Sequence, residues 1–227
     1  LKGDENKKNV YMNGHDAGLK GTLTDGATTA TFKVEAGALD AGKKVTIGGK
    51  EYTIGSSVAD TQALVKASAD ATTKLTYTIN GTKYDVDDTK VYASGDTTAL
   101  KQNQLPGGTG AGNASVADLK QLIVAGSTVS DGKTTLTAMT DADTDGIDDT
   151  DSSIITEDKA VELMQAELLA ANNIGTSDQA ATMGTKPTYT SNAGAEFTIN
   201  KGYATVADRL SFSLHVGSDA DMTNKIN

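Results

Sequence analysis

One stretch of the chain concentrates oxygen donors: Asp141-Ala-Asp143-Thr-Asp145-Gly146-Ile147-Asp148-Asp149. Carboxylates at alternate positions followed by Gly can curl around one hard cation, the Gly permitting the tight bend. A solvated acidic loop that holds no ion is the other reading of the same residues. Elsewhere the residue types exclude chemistry more than they suggest it. The absence of cysteine removes disulfides, thiolate nucleophiles and zinc–thiolate sites together. His15 and His215 stand far apart, and neither has a companion at metal-ligand spacing. There is no His-Glu-x-x-His, no Gly-x-Ser-x-Gly and no Gly-x-x-x-x-Gly-Lys. The Gly-rich run from Pro106 to Gly112 lacks a Lys and reads as a linker. Carboxylate pairs are plentiful in so acidic a chain, and the sequence alone places an acid–base partner for none of them. The inventory points away from an enzyme. Tyr52, Tyr77, Tyr84 and Tyr92 could line a carbohydrate face, but at alternate strand positions they read as cross-strand packing.

The aspartate run resembles the calcium loops of the EF-hand and thrombospondin type 3 kinds. That resemblance implies Asp141, Asp143, Asp145 and Asp149 as side-chain ligands and the carbonyl of Ile147 as a fifth, with Ca2+ as a structural ion. The sequence departs from the pattern at the twelfth position. Ser152 stands there instead of a bidentate acid, so affinity suffers or Asp151 substitutes. An EF-hand also needs a helix entering the loop, and Thr134–Thr140 does not read as one.

Net charge narrows the partners. A balance of -10 opposes binding to nucleic acid, whose phosphates need Lys and Arg, and opposes an anionic membrane surface. It favours solubility through self-repulsion. With 37% apolar residues, 4% aromatic and no Trp, the core must be light and built from Val, Ile, Leu and Ala. No apolar run approaches the ~18 residues of a membrane-spanning helix. No signal peptide opens the chain, and a start at Leu1 predicts that it begins inside a longer protein.

Twenty-four Gly and two Pro, with abundant Thr, predict many turns between short strands. A strand pair is predicted over 19–35 around Asp25-Gly26. Hairpins follow at 44–54 around Gly48-Gly49 and at 75–86 around Asn80-Gly81, since such dipeptides supply the positive φ angles of tight turns. Val45-Thr-Ile47-Gly-Gly-Lys50-Glu-Tyr52 aligns with Tyr77-Thr-Ile79-Asn-Gly-Thr82-Lys-Tyr84, and an amphipathic stretch follows each. One begins at Val58 behind Ser57, with Val58, Leu64 and Val65 as its apolar face. The other begins at Val116 behind Ser115, with Val116, Leu119, Leu122 and Ile123. A repeated hairpin-plus-helix unit is expected, with 93–114 a flexible excursion between its parts. A longer helix starts at Thr156-Glu-Asp, with Val161, Leu163, Met164, Leu168 and Leu169 as its stripe, and ends at Asn172-Asn-Ile-Gly175. Strands return at Phe197–Ile199 and from Leu210. The fold class is therefore α+β: short antiparallel hairpins with a few packed helices, β-rich at both chain ends and rich in loops.

The last eighteen residues carry a second resemblance. An alternating strand, with Leu210, Phe212, Leu214 and Val216 on one face, runs into Gly217 and an Asp/Asn-rich segment that reads as a helix start. This is similar to the point in bacterial flagellins where the variable outer region rejoins the filament-forming part. The resemblance implies the surface-exposed middle of a flagellin, extracellular on the filament, with other flagellin subunits as partners of the whole protein and a host receptor or antibody as outside partners. It implies a monomer in isolation, because the family's filament contacts lie in terminal helices. Passage through a narrow secretion channel would also suit a chain without cysteine. Residues 1–42 with 187–227 are then expected to form a β-rich base, 43–186 an inserted α+β outer domain, and the two chain ends to lie close together. The rival expectation, from the aspartate loop, is a calcium-dependent adhesin or surface-layer module.

Overall fold

The computed structural model describes residues 19–22, 29–172, 180–200, 214–215 and 225–226. The first sheet is antiparallel throughout. It runs in the order β1 (Leu19–Thr22), β2 (Thr29–Val34), β12 (Ala195–Asn200), β11 (Thr182–Met183). Its two central strands alternate in burial. Ala30, Phe32 and Val34 lie opposite Ile199, Phe197 and Ala195, and all six are buried. Each such pair packs on the same face because side chains alternate with period two. A second, three-stranded sheet joins the hairpin of β3 (Lys44–Ile47) and β4 (Lys50–Ile54) to β10 (Ile154–Ile155), which runs parallel to β4.

Helix α3 (Glu157–Asn172) spans the space between these sheets, touching β3, β11 and β12. The hydroxyl oxygen of Thr156 accepts from the Lys159 amide at 3.1 Å and closes its first turn. Ala160, Val161, Met164 and Leu168 have no exposed surface. Full burial of a Val, Met or Leu side chain stabilises by about 1.5–3 kcal/mol, so packing, not propensity, holds this helix. Leu163 and Leu169 flank the stripe, half-buried.

The five-stranded antiparallel sheet has the order β7 (Val91–Ala93), β6 (Thr82–Val86), β5 (Leu75–Ile79), β8 (Thr128–Ser130), β9 (Thr135–Thr137). At the β5–β6 turn Asn80 and Gly81 sit at φ +48 and +82, the two positive angles a type I′ turn requires. Asn80 also ties this hairpin to its neighbour: its side-chain oxygen accepts from the Thr128 amide at 3.0 Å. Tyr77 and Tyr84 face each other across the hairpin, both buried. Tyr92 is buried too, and Tyr52 packs half-buried beneath Lys50. The tyrosines are packing elements of the sheets, as their spacing suggested.

Ser57 and Ser115 cap α1 (Val58–Leu64) and α2 (Val116–Lys120) as expected. Both helices are shorter than the apolar spacing implied. The buried residue of α1 is Thr61, while Val65 and Ile123 reach the core from beyond the helix ends. The two hairpins also differ in setting. One is half of a three-stranded sheet with a parallel partner, and the other is the centre of five strands. Residues 93–114 are fastened, not loose. Gln102 and Asn103 donate backbone hydrogen bonds to Gly112 and Gly110 at 2.9 and 2.8 Å, and Leu105 and Ala114 are buried in the core.

The architecture is α+β, with two apolar cores among the described residues. One gathers Val34, Leu39, Ile54, Met164 and Phe197 and so draws on both sides of residues 42 and 187. The other buries side chains from Val65 to Val129, with Leu64 packed half-buried against them. Backbone hydrogen bonds stitch the two together where β4 leaves its sheet. Gly55 donates to Ile155, Ser56 donates to Thr137, and Ser56 accepts from Met139, each at 2.9 Å. Of the final strand, Leu214–His215 is described, paired antiparallel with Lys225–Ile226. Lys225–Ile226 is thus strand, where a helix start was expected. His15, Asp25-Gly26, Leu210, Phe212, Val216, Gly217 and both chain ends lie outside the described residues.

Candidate metal centre

The aspartate run forms the link from β9 to β10 and is clamped from both sides. Asp149 donates its amide to the Thr140 carbonyl at 2.7 Å, Asp148 donates to Ile154 at 2.9 Å, and Thr156 donates to Gly146 at 2.8 Å. The clamp centres on Asp148, a residue with no place in the ligand pattern. It is 4% exposed. One carboxylate oxygen accepts from the Thr140 amide at 2.7 Å, and the other from the Thr150 hydroxyl and the Thr150 and Asp151 amides at 2.6–2.9 Å. Burial pushes its carboxyl up, but these hydrogen bonds outweigh it and hold the pKa below the ordinary carboxylate value. The sequence offered no signal for this role, since Asp148 stands between pattern positions.

Within that frame, carboxylate oxygens of Asp141, Asp143 and Asp149 come within 4.8 Å of one another. Asp143 and Asp149 are exposed and Asp141 is half-buried. Asp141 Oδ2 accepts from the Gly146 amide at 3.2 Å, and Asp149 Oδ2 from the Ala142 amide at 3.0 Å. The bend needs Gly146 at φ +81, and Thr144 is held at φ +61, a strained angle for a β-branched residue. Asp141 Oδ1 is buried without a hydrogen-bond partner.

Three of the four expected side-chain ligands therefore converge, and Asp145 does not join that group. Asp145 turns its carboxylate to the Ile147 amide at 2.8 Å, and Ile147 packs half-buried against the first core while its backbone bridges to Ile155. Asp151 is no substitute: its Oδ1 accepts from the amide and hydroxyl of Ser153 at 2.9 and 2.6 Å. The carbonyl of Ser152 accepts from Lys50 Nζ at 3.1 Å. A strand, β9, enters the loop, and α3 begins only after Thr156, so the EF-hand frame is absent.

Three carboxylates at this separation repel one another, and a cation between them relieves the repulsion. The cluster could hold a metal ion. Hard oxygen donors suit Ca2+ or Mg2+ over softer metals. Three ligands fall short of the six to eight oxygens Ca2+ takes, so water or carbonyl groups would complete the shell. No protein-family model, curated protein or solved structure matches this chain.

Proposed function

We propose that the chain is the surface-displayed outer region of a bacterial flagellin, a non-catalytic structural module that shapes the filament exterior and its antigenicity. The observation carrying this reading is the antiparallel pairing of β2 with β12 over six residues. It sets an early segment of the chain beside a late one, as an insertion returning to a common stem requires. The sequence resemblance around Leu210–Asn227 supplies the family. Net charge of -10 suits an exposed, soluble surface and neither nucleic acid nor an anionic membrane. Antibodies raised against the chain and visualised by immunogold electron microscopy on the encoding bacterium should decorate filaments along their length. Labelling of the cell wall with bare filaments would reject the reading.

A second reading, favoured by the convergence of Asp141, Asp143 and Asp149, is a calcium-dependent adhesin or surface-layer module. In both readings the ion is Ca2+, with a Kd of order 10⁻⁴–10⁻³ M, the range of extracellular calcium modules. They differ in how much rests on it. For a flagellin module, whose calcium-free chain is stable by itself, chelation from calcium at a hundred times its Kd lowers the melting temperature by about 5–11 °C. A calcium-dependent adhesin would lose its folded state, because its calcium-free chain is too unstable to do without the roughly 2.7 kcal/mol that calcium at a hundred times its Kd adds.

A further inference from the structure

The turn that joins β5 to β6 is Asn80-Gly81, a dipeptide with chemistry of its own. Glycine leaves its backbone nitrogen unshielded, and that nitrogen can attack the carboxamide carbon of the residue before it. A bond from Gly81 N to Asn80 Cγ closes a succinimide ring. The Cγ–Nδ2 bond breaks, and Nδ2 leaves as ammonia with the proton that Gly81 N gives up. Water then opens the ring at either carbonyl. One opening leaves an aspartyl residue, and the other an isoaspartyl residue whose backbone runs through the side-chain carboxyl carbon. The sum converts a carboxamide and a water into a carboxylic acid and ammonia, with no oxidant or reductant. Asn80 and Gly81 are both exposed, and no described atom beyond the adjoining residues lies within 4 Å of where a Gly81 side chain would begin. Solvent therefore reaches the reacting atoms. The same dipeptide recurs at Asn13-Gly14, outside the described residues.

The fold holds Asn80 away from that reaction in two ways. A type I′ turn sets ψ at its first central residue near roughly +30°, which leaves the Gly81 nitrogen across the Cα–C bond from Cβ. Ring closure needs the two on the same side, so the turn must first be undone. The carboxamide is also tied at both ends to the entrance of β8. Its Oδ1 accepts from the Thr128 amide at 3.0 Å, and its Nδ2 donates to Ser127 Oγ at 3.3 Å. The Asn80 backbone amide donates to the Thr128 carbonyl at 2.9 Å. Ser127 is a firm post: it is 3% exposed, and its Oγ also accepts from the Val124 amide at 3.0 Å.

We propose that Asn80 is a gated modification site: primed for deamidation by Gly81, held inert by the turn and by Ser127 and Thr128, and converted when the pairing of β5 with β8 opens. The aspartyl product keeps an acceptor for the Thr128 amide, and the Ser127 hydroxyl can donate to its carboxylate, so the hairpin closes again. The isoaspartyl product inserts one more carbon into the backbone of a two-residue turn. Such a turn fixes hairpin register through its backbone geometry, and here the register sets Tyr77 opposite Tyr84 and Ile79 opposite Thr82. Tyr77, Ile79 and Tyr84 belong to the second core, so a transient opening becomes a permanent loosening of that core. The described Asp-Gly steps, Asp131-Gly132 and Asp145-Gly146, are less reactive, because an ionised carboxylate is a poorer electrophile than a carboxamide.

Peptide mass spectrometry of the whole chain, kept folded or in urea in mildly alkaline buffer, tests the assignment, with isoaspartate quantified by enzymatic methylation. In urea, Asn80 and Asn13, each followed by Gly, should convert at similar rates. In the folded protein Asn80 should convert at least roughly thirtyfold more slowly than in urea, the factor that two net hydrogen bonds give. Ser127→Ala should raise the folded rate roughly fivefold, the factor for one such bond, and leave the rate in urea unchanged. Because Ser127 also holds Val124, the wild type supplies a second readout: its rate should climb in urea below the unfolding midpoint as local opening grows. Once separated, the isoaspartyl form should lose hydrogen-exchange protection across β5 and β6, and the aspartyl form should keep it. Folded and unfolded rates within about twofold of each other, or a flat response to urea, would overturn the gate. An isoaspartyl form as protected as the parent would overturn the permanence.

Discussion

Asp85 and Asp87, near the end of β6, are 8% and 4% exposed, more deeply buried than Asp141, Asp143 and Asp149. Yet they are the better satisfied group. Asp87 accepts from the Thr89 and Lys90 amides at 2.8 and 2.6 Å and from the Tyr92 hydroxyl at 2.6 Å. Asp85 accepts from the Thr76 and Ser94 hydroxyls and the Gly95 amide at 2.7–3.2 Å. Lys74, 3.5 Å above the Tyr92 ring, adds a cation to the same corner. In the 141–149 loop, three carboxylates crowd together, and one buried oxygen of Asp141 goes unpaired. Acidic residues that brace a fold bring their donors with them. The three carboxylates that could hold a metal ion include a buried oxygen with no donor.

The largest effect should come from breaking the satisfied group. Asp87→Ala strands two amides and the Tyr92 hydroxyl, and urea unfolding at pH 7 should show a loss on the order of 3 kcal/mol. A loss under about 1 kcal/mol would mean the network is not bracing the sheet.

The same group should govern acid unfolding. Burial opposes the charged form of Asp87, but hydrogen bonds from Tyr92, Thr89 and Lys90 and the charge of Lys90 prevail, and its pKa falls from 3.8 to about 2. A pKa depressed in the folded state stabilises fully above the unfolded value and loses that contribution as pH falls through the folded one. Urea midpoints should therefore drop between pH 4 and pH 2. The gap between the wild type and Asp87→Asn should narrow over the same window.

The open group should respond to ions instead. Calcium at about a hundred times its Kd adds roughly 2.7 kcal/mol, and for a chain of this size each kcal/mol moves the melting temperature by about 2–4 °C. Asp143→Asn should cancel that rise while leaving the melting temperature in chelator unchanged. A rise that survives the substitution would locate the ion elsewhere.

The smallest effect concerns an orphaned hydroxyl. Ser56→Ala removes a buried, unpartnered oxygen, so stability should stay level or rise by up to about 1 kcal/mol in thermal unfolding. A clear loss would show that the hydroxyl has a partner in solution.

What could be read from the chain alone was local chemistry. Gly48-Gly49 and Asn80-Gly81 announced two hairpins because few dipeptides tolerate paired positive φ angles. Ser57, Ser115 and Thr156 announced helix starts through capping, and the Asp-x-Asp-x-Asp-Gly spacing announced the loop. Long-range pairing was not legible. Alternation in β2 marks a strand with a buried face but carries no address for β12, and nothing in Ile154-Ile155 says it pairs parallel to β4. For the same reason the core crosses the boundary expected at residue 42. Two short helices were overestimated because apolar spacing continues through Val65 and Ile123 after the backbone has left the helix. At the site, spacing named five ligands, but it could not show that the Ile147 amide takes Asp145 or that Asp148 anchors the loop. Those outcomes depend on which backbone amides the folded chain leaves free.

The contrast between the closed and the open carboxylates is tested most directly by titrating the metal-free protein with calcium in a calorimeter. One saturable Ca2+ site per chain, abolished in Asp143→Asn and retained in Asp87→Asn, is the expected result. No saturable heat up to about ten times the weakest expected Kd, near 10 mM, or equal binding by Asp143→Asn, would contradict it.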